Sequence, residues 1–365
     1  MDDRDEVDRL IFAIEQIALC AELIRDGSAG KARAALILLD SLVDGMTYRR
    51  LDLLYTASTA GWTRGTGRTY PKSVRNTARM SLPTRIQLVS ETTGYEPYLS
   101  QNSPLLEPDE AEVLAVAHEY RNSAYHQDTH NEAVVGDIAA ALLLVAGRMV
   151  VRSQSKWSVS ASRSQVTQLA VFGVEIEGGM IPLREAAETA VASIINGVTN
   201  DVLQVRERLA DDLESRLEEL RQTLEFVKPG RGDLDEMVRN YRGAELFGSD
   251  DELIRRQSEL WELVSTRTAD GDTTVTREAI REAQASVFAR MEELQARVPS
   301  LSVETSLAEV EAAATTVRAA GSAASMWMAY READKNLTEL ERLSTTAALD
   351  LDDAINQESD RRRGK

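Results

Sequence analysis

Between Leu183 and Val227 the chain carries no proline and a single glycine, and its apolar residues recur at spacings of four and three. Val191, Ile195, Val198, Val202, Val205 and Leu209 trace one stripe, which Leu213, Leu217, Leu220, Leu224 and Val227 continue after a slip in phase. A strand alternates in twos, so this period admits only helix. It predicts one coiled-coil-like helix extending about 66 Å.

The same period governs the rest of the chain. Leu10, Ile14, Ile17, Ala21 and Ile24 share one helical face and predict a helix from about Asp5 to Arg25, closed by Gly27 and Gly30. Ala35, Leu38, Leu39, Leu42, Val43 and Met46 predict a second from about Lys31 to Leu54, with Asp40 and Asp44 one turn apart as acids suited to a buried cation. A third is expected from about Ser73 to Thr92. A fourth starts at Pro108, where Asp109, Glu110 and Glu112 suit the positive end of a helix, and runs to His126. Thr129-His130-Asn131-Glu132 has the spacing of a capping box and opens a fifth helix to about Arg152. Five helices with short connections form a bundle.

Residues 153–182 are richer in Ser, Val and Gly, and are read as a linker with a short hairpin turning at Gly178-Gly179. Beyond the seam, helices are expected over about 233–266, 275–297, 302–345 and 346–360, with Trp261 near Ile254 and Trp327 near Tyr330 as core residues. The fold class is therefore all-α. A bundle over 1–152 precedes a helical region over 183–365 suited to oligomerisation or sensing.

Composition narrows the function. A net charge of −18 excludes a chain-wide field that attracts nucleic acid or anionic lipid, so any contact with RNA must be local. Cys20 is the only cysteine, which rules out an intramolecular disulfide and a cysteine-rich zinc site. The opening Met-Asp-Asp-Arg-Asp-Glu lacks the basic-then-apolar order of a secretory signal, so a cytoplasmic location is expected. The most apolar stretch, Ala133 to Val151, is interrupted by Asp137 and Arg148, and is read as a buried helix with no membrane partner.

Chemistry concentrates in Leu114-Ala-Val-Ala-His-Glu-Tyr-Arg-Asn-Ser-Ala-Tyr-His126. Leu114, Ala117 and Ala124 lie on one helical face, and Arg121 falls inside the same arc. A guanidinium at a core-facing position needs an acidic partner, for which Asp40 and Asp44 are the candidates, or a cleft. Arg121, Asn122 and His126 together suit RNA cleavage by the adjacent 2'-hydroxyl. A histidine moves the proton, a guanidinium stabilises charge on the phosphate, and no metal or other cofactor is needed. Asn122, one turn before His126, is placed to orient its ring. His118 and His130 are read as structural.

Arg121, Asn122 and His126, late in a helix of a small bundle, resemble the signature of the HEPN family: Arg, often followed by Asn, with His a few residues on. The resemblance covers roughly residues 1–152. It implies a metal-independent endoribonuclease, often a toxin or phage-defence effector, whose site is shared across a homodimer and whose activity an antitoxin or trigger protein controls. A dimer would also supply two copies of His126 as base and acid. Some family toxins are modified on a tyrosine two residues after the histidine, where this chain has Asp128.

Arg64, Arg68, Lys72, Arg75 and Arg79, with Arg49, Arg50 and Arg85 on either side and Trp62 and Tyr70 interleaved, form a candidate surface for the RNA backbone. Two other readings stay open: a catalytically silent HEPN-fold scaffold or nucleotide-binding module, and a pure coiled-coil assembly protein.

Overall fold

The computed structural model describes residues 3–59, 81–91, 104–126, 132–155, 157–176, 178–198, 202–231, 233–269, 277–298 and 302–363. Among them the fold is all-α, with thirteen helices and one two-stranded sheet. The elements are α1 (Asp3–Arg25), α2 (Ala29–Thr59), α3 (Leu82–Glu91), α4 (Pro108–His126), α5 (Glu132–Ser153), β1 (Ser158–Ser160), α6 (Arg163–Ala170), β2 (Met180–Pro182) and α7 (Leu183–Ile195). They are followed by α8 (Val202–Arg231), α9 (Leu234–Ser249), α10 (Asp251–Ala269), α11 (Arg277–Arg297), α12 (Val303–Ala319) and α13 (Ala323–Arg362). The chain divides into two compact units, Met1–Ala210 with Thr316–Arg331, and Asp211–Thr315 with Glu332–Lys365.

In the first unit α5 is the central helix. It is apolar nearly all round, and a helix of that kind is stable only when neighbours cover every face. It packs on α1, α2, α4 and α7, with Val135, Ile138, Leu142, Ala146 and Met149 fully buried. By length and composition alone Val134–Ser153 could cross a bilayer, with a mean hydropathy of 2.1, but 72% of that stretch is buried in the bundle. Gly147 lets α7 come close, since a Cβ there would lie 2.8 Å from both Ile195 Cδ1 and Val191 Cγ1. The expected inward faces of α1 and α2 are buried at Leu10, Ile14, Ile17 and Ala21, and at Ala35, Leu39, Val43 and Met46.

The stretch read as a linker packs as part of this unit. β1 and β2 pair antiparallel with Val159 opposite Ile181, both buried, and Gly178 and Gly179 both take the positive φ that glycine permits. The turn lies where expected, but the strand that pairs with Met180–Pro182 is Ser158–Ser160 and does not directly precede the turn. Residues 168–170 end helix α6, which starts at a capping box of Ser162 and Gln165 and buries Leu169. The partner strand lies further upstream, with α6 and β1 both packed on α1.

The predicted continuous helix from Leu183 to Val227 is instead two helices. α7 stops at Ile195, where Asn196 and Gly197 follow and the Asn196 and Val198 N–H groups close its last turn. Arg25, in the last turn of α1, adds a contact distant in sequence, donating from Nη2 to the Ile194 carbonyl with its guanidinium in the space a Cβ at Gly197 would need.

In the second unit the leucine seam of α8 is covered by the same chain. Leu213, Leu217, Leu220, Leu224 and Val227 are buried, as are Leu337, Leu340 and Leu343 of α13 and Val303, Val310 and Ala314 of α12. Arg216 bridges Asp334 at 2.6 Å and Glu341 at 2.8 Å, tying α8 to α13, and Arg221 meets Glu311 of α12 at 2.8 Å. Burial works against the Arg216 charge, but its bonds to Glu341 and Asp334 raise its pKa above the usual arginine value. The seam therefore supplies no argument for a second copy. α10 and α11 close over Leu253, Val287 and Leu294. Trp327 is buried edge-on to Tyr330 in the first unit, as expected, whereas Trp261 is 74% exposed and Ile254 is exposed too. Leu253 and Leu260 take the inward face of α10, and the next residue in each case falls about 100° round the helix.

The two glycines of α5 should respond in opposite directions. Gly136→Ala, with open space around it, stabilises by about 0.5–1 kcal/mol, while Gly147→Leu costs about 1–3 kcal/mol through overlap with α7; urea melts measure both. Burial also pushes the Cys20 thiol from its ordinary 9.0 up to about 12. The folded protein should not react with a disulfide reagent at pH 8 and should react fully in denaturant. The unfolded chain loses this proton first, so the contribution of Cys20 to stability is intact below about pH 9 and declines above it.

Candidate functional site

The ends of α4 follow from its sequence, with Pro108 in the first turn and Asp109 and Glu110 against the helix dipole. Its N-terminal half is anchored by a second acidic cluster. Buried Glu110 accepts from Arg148 at 2.8 Å and also pairs with Arg152, and Arg152 reaches Glu107 at 2.9 Å, locking α4 to the end of α5.

Further along, Leu114 and Ala117 are buried, and Arg121 on the same arc reaches across to α2. Its Nε and Nη2 each lie 2.8 Å from Oδ2 of Asp40, a side chain with no solvent exposure. The other carboxylate oxygen, Oδ1, is 2.9 Å from Nδ1 of His118. Since an ionised carboxylate only accepts, the ring proton sits on Nδ1 in this contact. Arg121 Nη1 donates to Asn122 Oδ1 at 2.8 Å, so the oxygen of Asn122 serves Arg121. Two groups of α4 less than a turn apart, His118 and Arg121, thus converge on one buried acid, and Asn122 holds Arg121 in turn. Arg121 nonetheless keeps 29% of its side chain exposed and His118 keeps 17%.

One turn along α2 from Asp40, Asp44 pairs with Arg85 of α3. Burial lowers the pKa of Arg85, against the charge of Asp40, which acts to raise it. The cations that Asp40 and Asp44 were expected to meet are therefore guanidinium groups. The cluster balances two carboxylates with two arginines, as a partly buried set of charges must.

Arg50 and Arg85 are buried, so they contribute no open cationic surface, while Arg49 is exposed. Arg64, Arg68, Lys72, Arg75 and Arg79 lie outside the described residues, as do Thr129, His130 and Asn131 of the expected cap. His126 is the last residue of α4. At about 1.5 Å and 100° per residue, positions 121 and 126 are separated by about 7.5 Å along α4 and about 140° around it. Of the two acids expected to meet Arg121, Asp40 and Asp44, the partner is Asp40, and His118, expected to be structural, shares that carboxylate. The signal for His118 was its place three residues before Arg121 and four before Asn122.

Family models, curated proteins and solved structures yield no match to this chain.

A double-mutant cycle tests the pairing of Asp40 with Arg121. Asp40→Asn should cost about 2–3 kcal/mol, because it removes the charge that compensates a guanidinium only partly open to water. In the Asp40→Asn, Arg121→Gln double variant the two changes should couple by about 1–2 kcal/mol in urea melts. Simple additivity would show that the pair does not organise the site.

Proposed function

We propose that the first unit is a metal-independent endoribonuclease of HEPN type, acting on RNA through the internal 2'-hydroxyl. The observation that carries this reading is the state of Arg121. Its guanidinium is held on two edges, by buried Asp40 and by Asn122, while part of it stays open to solvent. Of its five N–H groups three are engaged by these residues, leaving two for a phosphate oxygen. A donor fixed in advance stabilises developing charge without reorganising during the reaction. In this scheme His126 transfers the proton, and Arg64, Arg68, Lys72, Arg75 and Arg79 track the RNA backbone. The resemblance extends the proposal to a cytoplasmic toxin or defence effector that works as a homodimer under an antitoxin or trigger protein.

One observation favours the alternative of a silent HEPN-fold scaffold or nucleotide-binding module. The charge of Arg121 is already matched by Asp40, so the residue has a sufficient structural role without any substrate.

Purified protein should cleave RNA in EDTA, leave 2',3'-cyclic phosphate ends and spare DNA. Arg121→Lys, which keeps the charge beside Asp40 but loses the fork, and His126→Ala should each slow cleavage at least about 100-fold with helical content unchanged. Absence of cleavage selects the scaffold, and full activity in both variants removes Arg121 and His126 from the mechanism.

A further inference from the structure

We infer that His118 is the general base of this site, acting within one protomer. The inference rests on the ribonuclease reading above and changes which histidine works beside Arg121. On α4, His118 lies about 4.5 Å along the axis and about 60° round from Arg121, against about 7.5 Å and 140° for His126. The same carboxylate holds both groups, with His118 Nδ1 on Oδ1 and Arg121 on Oδ2 of Asp40. A buried acid behind the ring does two things. It fixes the proton on Nδ1, which leaves the Nε2 lone pair as the acceptor, and it stabilises the imidazolium formed once that acceptor is used.

The charges tied to the ring are Asp40 of α2 and, through the same carboxylate, Arg121 of α4, while Asp44 of α2 and Arg85 of α3 pair with each other one turn along from Asp40. Glu119, next in sequence, is turned to Arg331 at 2.6 Å. Among the described residues the ring nitrogens have one hydrogen-bond partner, Asp40, and part of the side chain stays exposed.

In the step this allows, Nε2 takes the proton of the 2'-hydroxyl as O2' bonds to phosphorus. The P–O5' bond breaks, and O5' leaves with a proton from an imidazolium, assigned to His126. The products are a 2',3'-cyclic phosphate and a 5'-hydroxyl, and exchange with water returns each histidine to its starting state. Base and acid then fall to two different histidines, and the base needs no second copy of His126.

The two roles separate on a substrate whose leaving group needs no proton. His118→Asn keeps a donor near the Nδ1 position but has no Nε2. It should lower kcat by about 100-fold to 10,000-fold on both an RNA oligonucleotide and a uridine 3'-(p-nitrophenyl phosphate) ester, with KM changed less than about threefold. The low-pH limb of its kcat/KM profile should vanish. His126→Gln should be slow on the oligonucleotide and recover on the nitrophenyl ester. Should His118→Asn fail to fold, His118→Gln takes its place in the same assays. A His118 variant that folds, stays within tenfold of the parent and keeps the low-pH limb overturns the inference while leaving the ribonuclease reading intact. A parent protein inactive on both substrates overturns the two together.

Discussion

A carboxylate sealed from water must find donors inside the protein, and Asp40 sets this demand at the centre of the first unit. α4 can satisfy it only in one register, because His118 and Arg121 must reach different oxygens of the same group. A rotation of the helix by one residue would put Ala117 and Tyr120, or Glu119 and Asn122, against the acid in place of His118 and Arg121. The pairing therefore fixes how α4 lies on α2, and through Asp44 and Arg85 it draws in α3 as well. The apolar surfaces of α4 and α5 supply most of the driving force for packing, but they tolerate sliding in a way the charges do not.

What could be read from the sequence was what depends on neighbours within a few residues. The bounds of α4, the inward faces of α1 and α2, and the leucine seam follow from local period, a first-turn proline and acids near a helix N-terminus. The need of Arg121 for an acidic partner was legible too, because an arginine on an apolar arc is a contradiction that some acid must resolve. Contacts distant along the chain were not legible. Arg25 meets the Ile194 carbonyl at the end of α7, and the partner of β2 lies before α6 rather than beside the turn. Trp261 was placed inward because it keeps helical spacing with Ile254, yet a stripe does not say which of two adjacent stripes meets the partner helix. The spacing of His118 three residues before Arg121 puts it on the same side of α4, but the acid it meets there is set by α2.

The balance of the polar cluster bears on how so acidic a chain could meet an anion. With a net charge of −18 the long-range field repels RNA, so attraction must come from groups within about a Debye length of the substrate. Arg121 is suited to that range because its charge is partly spent on Asp40. Its remaining N–H groups act by direction, through hydrogen bonds, more than by net attraction. Under the proposed function, a site of this type would take up a phosphate that has already been brought close.

The contact between Arg25 and the carbonyl of Ile194 joins residues 169 positions apart. During synthesis the first helix leaves the ribosome well before α7 exists, and one of the surfaces it packs on is missing until then. The nascent segment must wait with the face of α1 that meets α7 uncovered, so the late arrival of α7 sets when this part of the chain can finish folding.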